Sequence, residues 1–549
     1  MSKSSLIYFI PFLFIFSFSN AQIKGSEEGL NAITEQVVKS QLEFLASDWT
    51  EGREMGTKGA YIASDYIKSM FKLYGLHPAG DNINYTPNRY EKLLGAKSDK
   101  RASYFQNFSV IKYQPSMNQK LSLIVGNNKQ EKIFNFNYKT DFFVKPNDVN
   151  QEAKAQVVFV GYGIKQDEFD YNDFKGKNIK GKIIIRLAGY PGHLDSTSTS
   201  FKKFNSQSLK DLKKLKNKVA KEQGAIAIIE VNTSRNVALN WANNTPFRQN
   251  LPMFEGDTPI VWNYSYSYTS PKDQISRNLP FFEVTTRVAN EILASSKIDL
   301  NSFEKEFASN INHIVAKLKN VHIKYKTEVI SERLNIRNVL GVIEGEDTEN
   351  VVVVGAHYDH LGKYGGYIWN GADDNASGTV GIMTIAKACM ATGIKPKRTI
   401  IFAAWTGEER GLFGSRHFVK NFNDKNISVA LNYDMISRDS DWDQDGNKVS
   451  MIYTKAYEKI ASVTKTHNIN KNLGLNINYA PMDKPIGGSD NSSFAEKDIP
   501  VFWFFIGSHE DYHRPSDHFE KANWKKFTNI IKLGFLNVWE FANSSNGIK

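Results

Sequence analysis

The most constraining feature of this sequence is a set of three apolar, β-branched runs between Val351 and Asp434. With the polar residues that end them, the runs read VVVVGAHYDH, TIIFAAWTGEER and SVALNYDM. Short apolar runs separated by helical stretches predict buried parallel strands of an α/β sheet. In such sheets, ligands collect beyond the carboxyl ends of the strands. We therefore expect a functional site where the polar ends meet, and the residues that would line it are His357, Asp359, Glu408, Glu409 and Asp434.

The chain is too long for one ordinary domain, because 549 residues with 41% apolar content allow two to four domains with ample core material. Between residues 111 and 299 the pattern changes to short strands with few helices, and no dense cluster of histidine and acidic residues occurs there. We interpret 111–299 as an inserted domain, a β-rich sandwich or open barrel with a flanking helix. Residues 22–110 and 300–549 would together form the domain that carries the site, with approximate boundaries.

Residues 1–21 have the pattern of a secretory signal peptide. One lysine precedes an apolar run from Leu6 to Phe18, and small residues mark a cleavage site after Ala21. A membrane anchor is the alternative, but the run is short for a span and contains Pro11. We predict an exported protein, periplasmic or secreted, with no integral membrane anchor after cleavage.

The cysteine content and the net charge limit the kinds of site and partner that this chain can have. The single Cys389 can form neither an internal disulfide nor a thiolate metal site. A formal charge of +11 raises the question of nucleic acid. However, the densest basic stretch, Lys210 to Lys221, has apolar residues at helical spacing and fits a surface helix with solvated lysines. No zinc-finger or RNP-type motif accompanies it, so we expect no nucleic-acid partner.

Five residues with carboxylate or imidazole side chains follow separate predicted elements: His357, Asp374, Glu409, Asp434 and His513. Nitrogen and oxygen ligands without thiolate suit zinc, with cobalt or manganese as substitutes. Three carboxylates and two imidazoles can serve two ions if one carboxylate bridges them and each ion keeps an open position. From the residues alone, the neighbouring Asp373 and Asp374 are equal candidates for the bridge.

The adjacent residues Glu408 and Glu409 could have two different roles in such a site. In extended backbone, neighbouring side chains point to opposite sides. One glutamate can therefore bind metal while the other faces the substrate as a free general base, which metal-assisted hydrolysis needs. The alternative is two exposed glutamates at a helix start, favoured there by the helix dipole.

Two other hydrolase signatures receive little support. Residues 509–513 spell HEDYH, a literal match to the H-E-x-x-H zinc-protease pattern, which requires both histidines on one helix face. Pro515 follows closely and disfavours a regular helix there, so His513 is the more useful histidine. Serine chemistry lacks the G-x-S-x-G elbow, and Ser377 fits a helix start.

The chain resembles the M28 family of zinc peptidases in six motifs that stand in the family's order: AHYDHLG, NGADDNASG, WTGEERGLFGS, NYDM, GGSDNSSF and DYHRPSD. Its middle stretches VVFVGYGI, GKIIIRLAGYPG and GAIAIIEV are similar to the protease-associated (PA) domain of exported bacterial aminopeptidases in that family. The resemblance implies the zinc-dependent exopeptidase fold. This is an α/β fold whose mixed, largely parallel sheet is sandwiched by helices, here with an inserted β-rich PA-like domain.

The resemblance also assigns a ligand set. It implies one Zn²⁺ on His357, Asp374 and Asp434, and a second Zn²⁺ on Asp374, Glu409 and His513. Asp374 is then the bridge, and in the family a cis peptide usually joins the bridge to the next residue.

Other roles follow from the same resemblance. Glu408 becomes the general base on a metal-bridging water, and Asp359 resembles the carboxylate that orients His357. Asn491 stands where many relatives have histidine or tyrosine. The resemblance therefore does not define the wall of the site on the substrate side. The residues expected behind the ligands or beside the substrate are Asp517, Asp490, Asn491 and Tyr512.

The resemblance favours an exported aminopeptidase that acts on peptides or small proteins. A carboxypeptidase or dipeptidase of the glutamate carboxypeptidase type is the main alternative. A receptor-like relative without catalysis and a relative resembling glutaminyl cyclases are further alternatives. The side-chain preference, the oligomeric state and the role of the PA-like domain stay open.

Overall fold

The structure is a computed structural model that describes residues 24–127, 130–193, 195–205, 208–231, 266–271, 278–296, 298–309, 318–364, 366–422 and 425–544. The predicted signal peptide lies outside these residues. In this described part of the chain, no helix is both long and apolar enough to cross a membrane.

The first sheet has ten strands among the described residues. In spatial order they are Ser267–Thr269, Phe105–Pro115, Val329–Ile343, Arg398–Trp405, Asp347–His357, Asn426–Tyr433, Val501–Phe505, Lys448–Thr454 and Asn476–Met482, with His77–Pro78 beside Val329–Ile343. Four adjacent strands, here named the parallel group, run in the same direction; in chain order they are Asp347–His357, Arg398–Trp405, Asn426–Tyr433 and Val501–Phe505. Antiparallel pairs on both flanks make the sheet mixed.

Both faces of the parallel group are covered, which explains its unbroken apolar runs. Alternate side chains of one strand point to opposite faces. Val352 and Val354 pack against the helices Lys58–Tyr74, Gly378–Ala391 and Trp524–Asn543, among others. Val351 and Val353 belong to a separate cluster that includes Phe418 and Phe494 from helices on the other face. The predicted α/β fold with a mixed sheet between helices is confirmed.

The helices begin and end where capping residues allow it. The side chains of Thr34 and Thr57 accept hydrogen bonds from the first turns of two helices, and Gly75 ends the second at a φ of 90°. The α-helices are Ser26–Asn31, Glu35–Leu45, Lys58–Tyr74, Arg89–Leu93, Thr199–Phe204, Leu209–Glu222, Thr286–Leu293, Leu300–Ser309, Gly378–Ala391, Phe413–Asn421, Lys459–Asn470, Asn491–Ala495 and Trp524–Asn543. Shorter helical turns cover Asp48–Arg53, Asp167–Phe169, Ala294–Ser296, Ala372–Ser377 and Phe519–Lys521.

A second sheet of eight described strands is built from the middle of the chain. Its spatial order is Gln130–Phe136, Lys120–Asn127, Val321–Thr327, Gln151–Phe159, Ile183–Leu187, Ala227–Val231, Phe281–Val284 and Phe142–Val144. The strand Val321–Thr327 lies beyond residue 299, the predicted end of the inserted domain. Three two-stranded ladders complete the described strands: Asn82–Tyr85 with Asp99–Ala102, Lys165–Gln166 with Tyr171–Asn172, and Gly362–Tyr364 with Tyr367–Trp369.

The basic helix Leu209–Glu222 lies against this second sheet. Leu212 and Val219 are buried, whereas the side chains of Lys214 and Lys218 are 69% and 72% exposed, as predicted for a surface helix. Lys216 differs from that prediction, because its buried ammonium group donates hydrogen bonds to the carbonyl oxygens of Leu187, the last residue of a strand, and Gly189.

Candidate metal centre

The predicted site residues meet at one edge of the first sheet. In chain order, His357 is the last residue of the first strand of the parallel group, Glu408 and Glu409 follow the second, Asp434 directly follows the third, and His513 comes after the fourth. Parallel strands end at the same edge, so residues far apart in sequence become neighbours there. The roles assigned to them stay predictions, but their proximity can be measured.

His357 faces three carboxylates in the first half of the site. Its Nε2 atom lies 3.3 Å from Asp434 Oδ1, 3.5 Å from Asp374 Oδ1 and 3.9 Å from Glu408 Oε2. Within the described residues, His357 Nε2 and Asp434 Oδ1 are buried without a hydrogen-bond partner. Buried polar atoms are costly to leave unpaired. His357, Glu408 and Asp434 offer atoms close enough together to hold a metal ion.

The other oxygen of Asp374 faces a second half of the site. Asp374 Oδ2 lies 2.8 Å from His513 Nε2, and His513 Nε2 lies 3.4 Å from Glu409 Oε2. A third imidazole, His360, has its Nδ1 atom 2.7 Å from Glu409 Oε1 and 3.8 Å from Asp374 Oδ2. His360, Asp374 and Glu409 form a second group that could hold an ion. One carboxylate therefore faces both halves.

His360 is not among the residues predicted from the sequence to line the site. The available signal was its position three residues after His357, at the polar end of the same apolar run. Burial lowers the pKa of His360 well below its ordinary value, with His513 and Arg53 acting in the same direction. The imidazole is therefore neutral at pH 7, which is the form that binds metal.

Asp373 points away from both halves. Its Oδ1 atom accepts hydrogen bonds from Ser437 N and Oγ at 2.7 Å and 2.8 Å, and its Oδ2 atom lies 3.2 Å from His509 Nε2. The geometry thus distinguishes the two neighbouring aspartates that the residues alone left equal. The Asp374–Asn375 peptide bond is cis.

Residues 509–513 form a turn rather than a helix. His509 contacts Asp373, while His513 reaches the site from a residue with a φ of 56°. Trp369 Nε1 donates a hydrogen bond to the carbonyl oxygen of His513 at 3.2 Å. The two histidines of HEDYH therefore do not share a helix face, and the single-zinc helix alternative is excluded.

Two further predicted aspartates support the backbone of the site. Asp517 is fully buried and accepts hydrogen bonds from the N–H groups of Asp373 and Asp374. Asp359 Oδ1 accepts one from the N–H group of Glu408 at 3.2 Å but lies 3.9 Å from His357 Nδ1. The Nδ1 atom of His357 lies 3.1 Å from the backbone oxygen of Asp359 instead. The suggestion that the Asp359 carboxylate orients His357 stays a prediction.

Glu408 lies beside both a histidine and other carboxylates. Burial raises the pKa of Glu408 well above its ordinary value; His357 opposes this, while Asp490 and Asp434 add to it. A raised pKa in a cleft is typical of a carboxyl group that exchanges protons.

A cavity of about 700 Å³ opens onto this edge of the sheet. Tyr512 lines it, and the ring centroids of Tyr512 and His513 are 4.0 Å apart. Asp490 is buried behind the site, where its carboxylate accepts a hydrogen bond from Ser415 Oγ. Asn491 is also buried, and its amide donates to the carbonyl of Pro485 at 2.8 Å, next to the loop that forms one cavity wall.

One segment of the chain matches a known family. The model of Peptidase family M28 matches residues 338–536. "Leucine aminopeptidase 2" from Trichophyton equinum is 30% identical over 211 residues, which is 37% of this chain and 40% of the relative. "Glutamate carboxypeptidase 2 homolog" from Caenorhabditis elegans is 27% identical over 330 residues, covering 52% of this chain and 38% of the relative. This chain thus spans well under half of each of these curated relatives.

A solved structure resembles nearly the whole fold. The zinc aminopeptidase BSAP from Bacillus subtilis has a TM-score of 0.51 and 16% identity, with 93% of this chain and 96% of that chain covered. At this identity, the similarity shows a common fold. The segment 338–536, which carries all the ligand candidates above, is similar to Peptidase family M28.

Proposed function

We propose that this chain is an exported di-zinc aminopeptidase that removes N-terminal residues from peptides, with Glu408 as general base. The observation that carries the proposal is the position of Asp374. Its two carboxylate oxygens face two different histidines, His357 at 3.5 Å and His513 at 2.8 Å. A carboxylate in that position suits the bridging ligand of two ions, and Asp434 and Glu409 supply one further carboxylate to each half.

The residues fit zinc by chemistry as well as by position. Imidazole nitrogen and carboxylate oxygen are preferred ligands of Zn²⁺, and Co²⁺ or Mn²⁺ can replace it in such sites. His357 Nε2 and Asp434 Oδ1, buried without hydrogen-bond partners in the described part of the chain, are the atoms that an ion would satisfy. When bound, the ions would lower the pKa of a water molecule and polarise the scissile carbonyl.

Glu408 acts as the general base of the proposed reaction. It accepts a proton from the attacking water and later donates that proton to the leaving amine. The N–H group of Glu408 donates to Asp359 Oδ1, which holds the backbone at this position. The neighbouring Glu409 faces His513 and His360 instead, so the two glutamates divide the roles of base and ligand.

Tyr512 is proposed to contact the substrate. Burial raises the pKa of its phenol, and Asp374 and Glu409 raise it further, so the hydroxyl stays protonated. From the cavity wall it can donate a hydrogen bond to the substrate carbonyl oxygen as negative charge develops there.

A substrate panel tests this function. Aminoacyl-nitroanilides, their N-acetylated counterparts and blocked peptides with a free C-terminus are assayed with and without a zinc chelator. We expect cleavage only where the amino terminus is free, loss with the chelator, and recovery with added zinc. Cleavage of N-blocked peptides from the C-terminus would favour the glutamate carboxypeptidase alternative. Zinc binding without hydrolysis of any substrate would favour a receptor-like protein.

Export and the inserted domain complete the proposal. Residues 1–21 have signal-peptide character, and the second sheet corresponds to the stretch that resembles a PA domain. N-terminal sequencing of the protein recovered from periplasm or medium tests the export. A mature chain that begins after Ala21 is expected, and an uncleaved chain in the cytoplasm would contradict it.

A further inference from the structure

Arg53 is a fully buried arginine that reaches the site from about 300 residues away in sequence. It lies in the turn Asp48–Arg53, outside the segment 338–536 that matches the family model. Its exposed fraction is 0%. A buried guanidinium group is costly unless its donors are satisfied, so its partners explain why it is there.

The guanidinium group of Arg53 joins the two loops that carry the candidate ligands. Its Nε atom donates to the carbonyl of Tyr358 at 2.8 Å, next to His357. Its Nη1 and Nη2 atoms donate to the carbonyls of Asn370 and Gly371 at 2.6 Å and 2.9 Å, just before the turn that holds Asp374. A fourth bond, from Nη1 to the carbonyl of Leu45 at 2.5 Å, ties the group to the preceding helix.

The backbone of the same turn is wedged between these loops. The carbonyl of Arg53 accepts a hydrogen bond from the N–H group of His360 at 3.3 Å. Gly52 has a φ of 68°, and a Cβ there would lie 2.4 Å from the oxygen of Gly362 and 2.5 Å from the oxygen of Trp369. Only glycine fits at such a close approach of three backbone segments.

The charge of Arg53 also faces the site. Burial lowers its pKa to about 10, while Asp374, Asp517, Asp359 and Glu409 act to raise it. The group therefore stays cationic at neutral pH and offsets part of the negative charge that these carboxylates bring together.

From these contacts we infer that Arg53 is a positioning residue of the metal centre, which sets the spacing between the loop of His357 and His360 and the turn of Asp374. The inference rests on the proposed two-zinc site and extends it to a residue outside the matched family segment. Groups that orient ligands from behind typically change metal affinity by about 10- to 100-fold when replaced. Replacement of Arg53 is expected to weaken zinc binding within that range.

Zinc affinity of the full chain tests the inference. The parent, Arg53→Met and Arg53→Lys are stripped of metal, and their zinc dissociation constants are measured by competition with a fluorescent chelator. Arg186→Met is the matched control, because Arg186 is equally buried but lies in the second sheet with Glu230 and Asn217 as partners. We expect about 10- to 100-fold weaker binding for Arg53→Met and an intermediate effect for Arg53→Lys. The control should show a lower melting temperature with parent-like zinc affinity.

Several outcomes would overturn the inference. Parent-like zinc affinity in Arg53→Met would do so, and so would an equal loss of affinity in Arg186→Met, because the effect would then follow from general destabilisation. If Arg53→Met does not fold, the zinc affinity of Arg53→Lys is compared with that of the parent instead. If neither variant folds, Arg53 is needed for folding in general, and the inference is overturned. A parent chain that binds no zinc would instead refute the proposed function, and this inference with it, before any variant is compared.

Discussion

The two sheets bury charged side chains in different surroundings. In the second sheet, the guanidinium group of Arg186 lies 2.8 Å from Glu230, and Lys213 lies 2.9 Å from the same carboxylate. At the edge of the first sheet, the carboxylates of Asp374, Glu408, Glu409 and Asp434 lie close to the imidazoles of His357 and His360. Among the described residues, His357 Nε2 and Asp434 Oδ1 are buried there without a hydrogen-bond partner.

This difference between the two sheets suggests that buried charged groups stabilise the structure in one place and serve function in the other. In a buried pair of opposite charges, each group offsets the charge of the other without an added ion. A buried cluster with excess carboxylate is complete only when cations are added, and such groups have perturbed pKa values. Arg186 and Glu230 of the second sheet are of the first kind, and we propose that the site is of the second kind.

The largest expected effect comes from removing the one carboxylate assigned to proton transfer. Glu408→Gln should lower kcat by about 10²- to 10⁴-fold, because the general base is lost while the shape is kept. Zinc content, measured by elemental analysis, should stay at two per chain. A fully active variant would end the assignment of Glu408 as base.

Removing a ligand candidate should have a different signature. His513→Ala takes away the imidazole 2.8 Å from Asp374 Oδ2, so zinc content should fall from two ions towards one and activity should fall with it. His509→Ala is the matched control, since His509 contacts Asp373 outside the ligand set. Equal zinc loss in both variants would contradict the division between the two histidines.

In the second sheet, the corresponding change should affect stability and not catalysis. Glu230→Gln leaves Arg186 buried without its counter-charge, and breaking such a pair typically costs about 3–5 kcal/mol in the free energy of unfolding. Urea denaturation measures this loss. The value of kcat at 25 °C should match that of the parent. A large decrease in kcat would contradict the view that buried charge in the second sheet serves stability alone.

The same variant predicts a pH dependence with a definite sign. Although burial alone would raise it, Lys213 and Arg186 hold the pKa of Glu230 well below its ordinary value. A carboxylate with a lowered folded pKa stabilises the protein above its unfolded pKa of about 4.3 and loses that contribution as the pH falls further. The stability difference between the parent and Glu230→Gln should therefore be constant near pH 7 and shrink below about pH 4.3.

The smallest effect is expected at an exposed pair. Lys218 and Glu222 lie 3.9 Å apart with side chains 72% and 59% exposed. Such pairs contribute little in water, so Lys218→Ala should change the free energy of unfolding by no more than about 0.5 kcal/mol. A loss as large as that of Glu230→Gln would show that burial is not what distinguishes the two pairs.

Much of the sheet and of the site could be predicted because the signals were local. The apolar runs ending at His357, Trp405 and Tyr433 identify strands by their length and residue type, and the acidic residues after them mark the edge. Because parallel strands end at the same edge of a sheet, residues that follow these strands are expected to be neighbours even when they are far apart in sequence. For this reason the five ligand candidates could be listed before any distance was known.

The remaining features depend on side-chain directions and long-range contacts. Asp373 and Asp374 are equivalent in sequence, and only the hydrogen bonds from Ser437 turn the first one away. Arg53 contacts Tyr358 across 305 residues, and nothing in the sequence around Arg53 indicates this contact. The strand Val321–Thr327 joins the second sheet through pairs with strands more than 150 residues earlier, and no local pattern indicates such pairing.

The two long strands Phe105–Pro115 and Val329–Ile343 pair antiparallel over eleven residues, with Pro115 opposite Val329. The chain therefore leaves this ladder after Pro115 and rejoins it at Val329, and between these two residues the strand Ser267–Thr269 pairs once more with Phe105–Pro115. A tight turn linking these two residues would close the ladder and omit everything between them, including the short strand Ser267–Thr269. A shortened chain built this way would show whether the residues at the edge of the first sheet can still come together without the second sheet.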